Sequence, residues 1–204
     1  MARRSDHSRK QLREMALAAA ESIAEQEGAR GLTAREVAGR IGYSVGTLYN
    51  LFGTLDDLIL EVNAGTLDLL FEALTLARRE AGSDDPESVL AAFARAYLGF
   101  IDRHPHRWDM LFEHKLPKGR SLPDWYHEKL GRLLTLLDGS LTPLFRADQT
   151  RDRARAARVL WCGLHGICSL ARAGKLGAVT EESVSSLTEA LLTTYLAGLR
   201  ARLG

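Results

Sequence analysis

Apolar residues recur at three- and four-residue spacing in nearly every segment of this 204-residue chain, and the strict alternation typical of β-strands is missing. Glycine, proline and polar turn signals separate these segments from one another. The predicted helices span residues 8–28, 34–41, 45–51, 55–79, 86–103, 107–114, 122–146, 152–173 and 180–202. We therefore predict an all-α fold of about nine helices.

The composition is typical of a cytoplasmic protein that does not span a membrane. No run of 18 or more apolar residues occurs, and residues 1–15 lack the apolar stretch of a secretory signal. The two cysteines, Cys162 and Cys168, lie in one apolar segment, which fits a reducing compartment.

Positive charge is concentrated at the N-terminus, although the formal net charge is only +1. Residues 1–13 hold five cationic side chains and one acidic one (5 − 1 = +4), namely Arg3, Arg4, Arg9, Lys10 and Arg13 against Asp6. Such an arm is expected to seek phosphates. The nearly neutral total charge disfavours a protein that coats DNA without sequence preference.

The segment 31–52, GLTAREVAGRIGYSVGTLYNLF, has the spacing of a helix-turn-helix. Thr33 can cap the first helix, and Glu36 three residues later would complete a capping box. Gly42 lies where the chain must reverse, and Ser44 can cap the second helix. The apolar residues that would face a shared core are Val37, Ile41, Leu48, Leu51 and Phe52. An outward face then needs a partner, and it comprises Tyr43, Val45, Gly46, Thr47, Tyr49 and Asn50.

Residues 8–60 resemble the N-terminal pattern of the TetR family of bacterial repressors. The positions in register are Thr33, Ala38, Gly42, Gly46, Tyr49, Phe52 and Leu58. The resemblance implies that the second short helix enters the major groove of DNA. It assigns phosphate contacts to Thr33 and Tyr49, and base-edge contacts to Arg35, Tyr43, Ser44, Val45, Gly46 and Asn50, with Thr47 on the same face. It also implies a DNA-binding domain at residues 1–55 and a helical ligand-binding and dimerisation domain at 56–204.

One position departs from the family pattern. The family commonly has a lysine at the start of the helix after the helix-turn-helix, where it grips a phosphate, and this chain has Leu55. Affinity for DNA would then depend more on the basic arm, the helix N-termini and Tyr49.

The C-terminal half is rich in large amphipathic side chains that could line a small-molecule pocket. The pocket candidates are Phe93, Tyr97, Trp108, Phe112, Trp125, Tyr126, Trp161 and His165. The alternative is that these side chains simply fill a core. The effector would be a small apolar or amphipathic molecule, and we expect no cofactor.

Residues 160–167 resemble a Trp-x-x-x-His-Gly signature of one TetR-family C-terminal domain. Trp161 and His165 lie one turn apart, and Gly166 would let a neighbouring helix approach closely. His165 could equally be a core histidine with satisfied hydrogen bonds. An alternative function is a metal- or redox-responsive regulator that uses Cys162, His165 and Cys168. Because their spacing spreads them over about 120° of a helix surface, we predict no metal site.

The C-terminal half shows no Gly-rich phosphate loop and no nucleophile with a base and an orienting group, so we do not expect an enzyme. The polar cluster that could suggest an active site comprises His104, His106, Asp109 and His114. We interpret this cluster as exposed loop and pocket rim.

The last predicted helix carries two apolar rows and therefore needs two partners. One row is Leu187, Leu191 and Tyr195, and the other is Leu192, Leu196, Leu199 and Leu203. The family resemblance implies a homodimer, for which the interface candidates are Leu187, Leu191, Tyr195 and Leu199. A two-fold dimer would place two recognition helices about 34 to 36 Å apart on a palindromic operator. Repression relieved by a ligand is the expected mode, with activation as the alternative.

Overall fold

The computed structural model describes residues 7–203, and within these residues it contains nine α-helices, two short 3₁₀ turns and no strand. The helices are α1 (Arg9–Gly31), α2 (Ala34–Ile41), α3 (Val45–Phe52), α4 (Leu55–Glu80), α5 (Pro86–Arg103), α6 (Pro105–Glu113), α7 (Asp124–Ser140), α8 (Thr150–Arg172) and α9 (Val184–Leu203). The predicted all-α class is confirmed. The seventh helix ends earlier than predicted, because a 3₁₀ turn that contains Pro143 follows it at Thr142–Leu144.

The described chain packs as two compact units. The first comprises the residues up to Leu69 together with Ile101–Lys129, and the second comprises Leu70–Phe100 and the residues from Leu130 onward. The chain passes between the units inside α4, α5 and α7. Units defined by packing need not coincide with functional domains, so the boundary predicted between residues 55 and 56 stays a prediction.

The core of the first unit joins α1 to the three helices that follow it. Ile23 of α1, Val37 of α2, Leu48 of α3 and Leu58 of α4 are each at most 1% exposed and belong to one apolar cluster. Met110 of α6 belongs to the same cluster. The helix-turn-helix segment is therefore held by apolar side chains that come from both ends of this unit's sequence.

A buried arginine completes the packing of α6 against α1 and α4. Arg107 is 7% exposed and donates to Thr66 Oγ1 at 2.9 Å and to the carbonyl oxygen of Val62 at 3.4 Å. Its guanidinium lies 3.7 Å from a carboxylate oxygen of Glu21 and 4.0 Å from one of Glu25. The charge is thus compensated by two carboxylates of α1 within the unit.

Sequence features fix both ends of α1. Ser8 accepts a hydrogen bond from the Gln11 backbone N–H, and the Gln11 side chain accepts one from the Ser8 N–H, which is a capping box that the sequence analysis did not identify. Gly28 interrupts the helical backbone with φ 64° and ψ −158°, close to where the sequence predicted the helix to stop. This backbone region is open essentially only to glycine.

Gly28→Ala is expected to lower the free energy of unfolding by about 1 to 3 kcal/mol, because alanine resists this backbone conformation. Steric overlap is not the cause, since the nearest atom to an added Cβ would be His106 Cβ at 3.5 Å. Gly39→Ala is the matched control: Gly39 is helical with nothing within 4 Å of an added Cβ, so alanine there should stabilise by about 0.5 to 1 kcal/mol. Urea unfolding measures the stability of both variants. If Gly28→Ala were the more stable of the two, the backbone conformation of Gly28 would not be the source of the cost.

The core of the second unit is formed by α5, α8, α9 and the end of α4. Leu160 of α8 and Leu196 of α9 are 2% and 1% exposed in one apolar cluster. Helices α8 and α9 pack closely at Gly163, where an added Cβ would lie 3.0 Å from Leu191 Cδ2. Gly166, which the sequence predicted to let a neighbouring helix approach, has no atom of this unit within 4 Å of an added Cβ.

None of the helices described here combines the length and the apolar character that crossing a membrane requires.

Candidate functional site

The turn between α2 and α3 has the hydrogen bonds expected of a helix-turn-helix. Gly42 adopts φ 76°, and the Tyr43 N–H donates to the Ala38 carbonyl at 2.9 Å, which closes the end of α2. Ser44 Oγ accepts from the Thr47 N–H at 3.2 Å and so caps α3, as the sequence predicts. The start of α3 is therefore fixed by local hydrogen bonds.

The predicted cap of α2 is only half formed. Thr33 Oγ1 accepts from the Glu36 N–H at 3.1 Å, as expected. The Glu36 carboxylate does not reach back to Thr33; it accepts a hydrogen bond from Arg40 Nε at 3.2 Å instead. The Thr33 N–H donates to the Gly31 carbonyl, so the predicted capping box is corrected to a single cap.

Helix α3 has a buried side and an exposed side. Leu48 and Phe52 are 1% and 7% exposed and belong to the core, whereas Tyr49 is 43% exposed. The remaining candidates on or near this helix are all accessible: Ser44, Gly46 and Asn50 are exposed, and Tyr43, Val45 and Thr47 are half-buried. On α2 and at its cap, Arg35 and Thr33 are also exposed. These residues form what we call the α3 face, and their role as DNA contacts stays a prediction.

Three candidates on the α3 face, Tyr43, Ser44 and Thr47, already have side-chain partners. The Tyr43 hydroxyl lies 2.9 Å from His7 Nδ1, and the Ser44 hydroxyl lies 2.9 Å from Thr47 Oγ1. The Asn50 backbone carbonyl accepts from Arg9 Nη2 at 3.1 Å, while its side-chain amide is exposed. The Asn50 amide thus presents both a donor and an acceptor to solvent.

One cation of the predicted basic arm, Arg13, is already engaged within the fold. Arg3, Arg4 and Asp6 lie outside the described residues. Arg13 pairs with Glu61, and its guanidinium carbon lies 4.8 Å from the centre of the Phe52 ring. Burial raises the pKa of Glu61, an effect that Arg13 opposes. Arg13 is therefore a structural residue that ties α1 to α3 and α4.

The second unit contains an apolar cavity of about 60 Å³. Its lining includes three of the eight predicted pocket residues, Phe93, Tyr97 and Trp161. The other lining residues are Ala94 and ten leucines, namely Leu70, Leu74, Leu90, Leu133, Leu134, Leu136, Leu137, Leu160, Leu164 and Leu192. No charged side chain is among them. Typical ligand pockets hold about 300 to 1,000 Å³, so occupation by a ligand requires these side chains to move.

His165 stands beside this cavity without lining it. Its Nδ1 lies 3.0 Å from the Tyr97 hydroxyl, its Nε2 lies 3.2 Å from Ser169 Oγ, and its ring stacks on Trp161 at 5.0 Å. Burial lowers the pKa of His165, which favours the neutral imidazole. Its two ring nitrogens therefore have hydrogen-bond partners, as the core-histidine alternative predicts.

Four predicted pocket residues belong to the first unit and do not line the cavity. Trp108 is 3% exposed and packs on Phe112, with ring centres 5.0 Å apart. Tyr126 is 4% exposed, and burial raises its pKa to about 12. Trp125 is 41% exposed. Their aromatic character does not distinguish a cavity wall from an ordinary core or surface position.

The outer side of α9 is an open apolar groove. Three of the four predicted interface residues, Leu187, Leu191 and Tyr195, are half-buried along it. The fourth, Leu199, borders the groove but is 9% exposed and belongs to the unit's own core. The Tyr195 hydroxyl donates a hydrogen bond to the Ala156 carbonyl at 3.0 Å, which links α9 to α8.

The residues that suggested other chemistry do not converge. Cys162 is exposed and Cys168 is buried, and no group of three or more potential metal ligands occurs within residues 7–203. His104 Nδ1 lies 3.1 Å from a carboxylate oxygen of Glu25, so this histidine is engaged with α1. His114 Nε2 lies 3.3 Å from Asp56, and burial lowers the pKa of this histidine.

Comparison with known families supports the resemblance that the sequence indicated. A family model described as "Bacterial regulatory proteins, tetR family" matches residues 16–62, and one described as "Tetracyclin repressor-like, C-terminal domain" matches residues 90–195. No curated protein sequence matches this chain significantly.

Solved structures with the same fold come from several bacteria. A protein of unknown function from Rhodococcus sp. RHA1 is 25% identical, with 98% of this chain and 100% of that one covered and a TM-score of 0.72. Thermus thermophilus FadR, a TetR family repressor in complex with lauroyl-CoA, is 22% identical, with 91% and 94% covered and a TM-score of 0.66. The regulator FadR from Bacillus subtilis, in complex with stearoyl-CoA, is 16% identical, with 91% and 98% covered and a TM-score of 0.62.

Proposed function

Because this chain belongs to the TetR family of bacterial transcriptional regulators, we propose that it represses transcription by binding an operator through the α3 face and releases that operator when an apolar effector binds. The observation that carries the proposal is the two-sided character of α3. Leu48 and Phe52 hold one side in the core, while Tyr49 and the Asn50 amide are presented to solvent on the other. A short rigid helix of this kind fits the major groove of DNA.

The roles on the α3 face follow from side-chain chemistry. The Asn50 amide can pair with the N6 and N7 atoms of adenine, and the Arg35 guanidinium with the O6 and N7 atoms of guanine. Tyr49, Thr33 and the exposed Arg9 would contact phosphates. Arg13 would contribute little to phosphate binding, because its guanidinium is already paired with Glu61.

Recognition of a palindromic operator requires two copies of α3 related by a two-fold axis. The open groove on α9 leaves apolar surface accessible, and the half-buried Leu187, Leu191 and Tyr195 lie along it. We propose that this groove is the homodimer interface. Leu199 contributes mainly to the stability of each subunit, since it lies in that subunit's own core.

The effector would occupy the cavity of the second unit. Its lining of leucine and aromatic side chains, without a charged group, fits an aliphatic chain. Lauroyl-CoA and stearoyl-CoA are bound by the two FadR structures of similar fold, which supports a long acyl chain as the class of ligand. Binding would weaken operator affinity to the extent that the ligand favours a conformation with a different α3 spacing.

An enzymatic role is not proposed. Two of the four residues of the candidate polar cluster already have carboxylate neighbours, since His104 pairs with Glu25 and His114 lies beside Asp56.

Equilibrium binding to DNA from the gene's own upstream region and to scrambled DNA of equal length tests the proposal. The wild-type protein is expected to prefer the first by about a thousandfold or more. Asn50→Ala should reduce that preference by about tenfold or more, because it removes a base contact. Gln26→Ala is the control, since it also removes an exposed amide of the first unit but lies on α1.

The same assay tests the effector. Adding lauroyl-CoA to the protein–operator complex should lower operator affinity, whereas CoA alone should not. Equal binding to both DNAs by wild type and both variants would contradict the repressor proposal.

A further inference from the structure

Helix α6 runs beside α4 in the opposite direction and leads the chain to the start of α4. Near the beginning of α6, Arg107 Nε donates to Thr66 Oγ1 at 2.9 Å. Directly after the end of α6, His114 Nε2 lies 3.3 Å from Asp56 Oδ1. Later residues of α6 therefore meet earlier residues of α4, and the segment that follows α6 arrives where α3 ends and α4 begins.

Arg120 attaches this segment to the first residues of α4. Its Nη1 donates to Thr54 Oγ1 at 3.0 Å, and its Nη2 pairs with the Asp57 carboxylate. Thr54 and Asp57 also form a capping box, because the Thr54 N–H donates to Asp57 Oδ2 at 3.0 Å and the Asp57 N–H donates to Thr54 Oγ1 at 3.1 Å. Phe52, the last residue of α3, is only two residues before Thr54. The Arg120 guanidinium is therefore held beside the end of α3.

Residues 117–120 form a tight turn that presents Lys118. The Arg120 N–H donates to the Pro117 carbonyl at 3.0 Å, and Gly119 adopts φ 87°, a combination typical of a type II turn. Lys118 occupies the second position of this turn and is exposed. Because Arg120 closes the turn and is itself held at the start of α4, the backbone of Lys118 stays close to the end of α3.

The segment between α6 and this turn is cationic. Residues 114–120 contain Lys115, Lys118 and Arg120 and no acidic residue. Asp57 offsets the charge of Arg120, whereas Lys115 and Lys118 are exposed and have no carboxylate partner in the part of the chain that the structure describes. The major groove of DNA is about 12 Å wide, so a phosphate backbone borders any helix that lies in it. A cation held beside the end of such a helix is in a position to meet that backbone.

We propose that Lys118 contacts a phosphate of the DNA backbone when α3 lies in the major groove, and that Arg120 is the positioning residue that holds its turn there. This inference rests on the proposed binding of DNA through the α3 face. A lysine binds phosphate as a point charge and reads no base edge. The contact therefore strengthens binding to any duplex and adds no sequence preference.

Titration of the full chain with the upstream DNA and with the scrambled duplex, at 50 to 200 mM KCl, tests the proposal. For each copy of Lys118 that contacts DNA, Lys118→Gln is expected to weaken binding to both duplexes by about tenfold at 50 mM KCl. The slope of log affinity against log salt should become shallower by about 0.9 per contact, because fewer counterions are released. Lys118→Gln with the affinity and the salt dependence of wild type would overturn the proposal.

Lys175→Gln is the matched control, because it removes the same charge from an exposed lysine that lies outside the first unit. Its affinity and salt slope should equal those of wild type. If Lys175→Gln changed both as much as Lys118→Gln does, the effect would reflect net charge and not a contact, which would overturn the proposal.

A double-mutant cycle tests the positioning role of Arg120. If Arg120 holds the turn in place, Lys118→Gln should change DNA affinity by about twofold or less in an Arg120→Gln background. Equal effects of Lys118→Gln in both backgrounds would overturn the positioning role. Urea unfolding checks that each variant is folded, and a role of Arg120 in stability alone would leave the effect of Lys118→Gln unchanged.

The two duplexes separate this inference from the proposed function. If wild type prefers the upstream DNA and Lys118→Gln binds like wild type, only the phosphate contact is wrong. If wild type binds both duplexes equally and Lys118→Gln weakens both, the repressor proposal fails and the phosphate contact stands. If wild type binds neither duplex, both proposals fail.

Discussion

Leu48→Ala is expected to lower the free energy of unfolding by about 2 to 5 kcal/mol, whereas Tyr49→Ala, one residue along the same helix, should change it by about 0.5 kcal/mol or less. Leu48 is 1% exposed in the core of the first unit, so truncation leaves a cavity between α3 and its neighbours. Tyr49 is 43% exposed, and its ring contributes little to that core.

The two neighbours should also differ in how they affect DNA binding. Tyr49→Ala is expected to weaken binding to all DNA sequences about equally while the protein stays folded, since a phosphate contact carries no sequence information. Leu48→Ala should lose operator binding only in step with loss of folded protein. Urea unfolding and operator titration on the same samples measure both effects. A stable Leu48→Ala, or a Tyr49→Ala that unfolds, would show that the sides of α3 are assigned incorrectly.

Arg107→Ala is expected to cost about 3 kcal/mol of stability, because it removes a buried charge from between two carboxylates and two oxygen acceptors. The oxygens left behind are those of Thr66, which is 0% exposed, and the Val62 carbonyl. The expected loss of stability is at the low end of what breaking a buried ion pair costs, because the Glu21 and Glu25 side chains are 35% and 37% exposed and remain partly hydrated.

Arg107→Lys should recover only part of this loss, since an ammonium group cannot reproduce the planar guanidinium contacts. The space is also tight, because a Cβ on Gly65 would lie 2.6 Å from Glu21 Oε1 and 3.3 Å from Arg107 Nη2. Arg146→Ala is the control: Arg146 pairs with Asp148 on the surface, where both side chains are more than two-thirds exposed, and its loss should not measurably change thermal unfolding. Equal effects of Arg107→Ala and Arg146→Ala would contradict the role of burial.

Most of the helix-turn-helix could be predicted because its determinants are local, although the second half of the predicted capping box at Thr33 and Glu36 is replaced by the Glu36–Arg40 pair. Ser44 and Gly42 act within four residues of their own positions, through a cap and a left-handed turn. The inward positions of Leu48 and Phe52 follow from helical periodicity, and the structure places both in the core. Local hydrogen bonds and periodicity are visible in a sequence, so this segment needed no tertiary information.

The cavity and the close packing of α8 on α9 could be predicted only in part. Trp108 and Trp161 look alike in the sequence, yet only Trp161 lines the cavity. Most of the wall is leucine contributed by five helices, and a leucine in an amphipathic helix carries no signal that separates a cavity from a core. Gly163 and Gly166 are both compatible with close packing, and the partner side chain, Leu191, decides in favour of Gly163. These features depend on residues distant in the sequence.

The contribution of α6 to the first unit restricts how this regulator could be recombined with others. Met110 shares the core that supports α3, and Arg107 pairs with carboxylates of α1. In a fusion of residues 1–55 to the remainder of another regulator, the residues that replace Arg107 and Met110 would therefore come from the other protein. DNA specificity should therefore be easier to exchange between such proteins by substitutions on the α3 face than by transfer of the whole N-terminal segment. Transfer of that segment should be tolerated better when the α6 region is transferred with it.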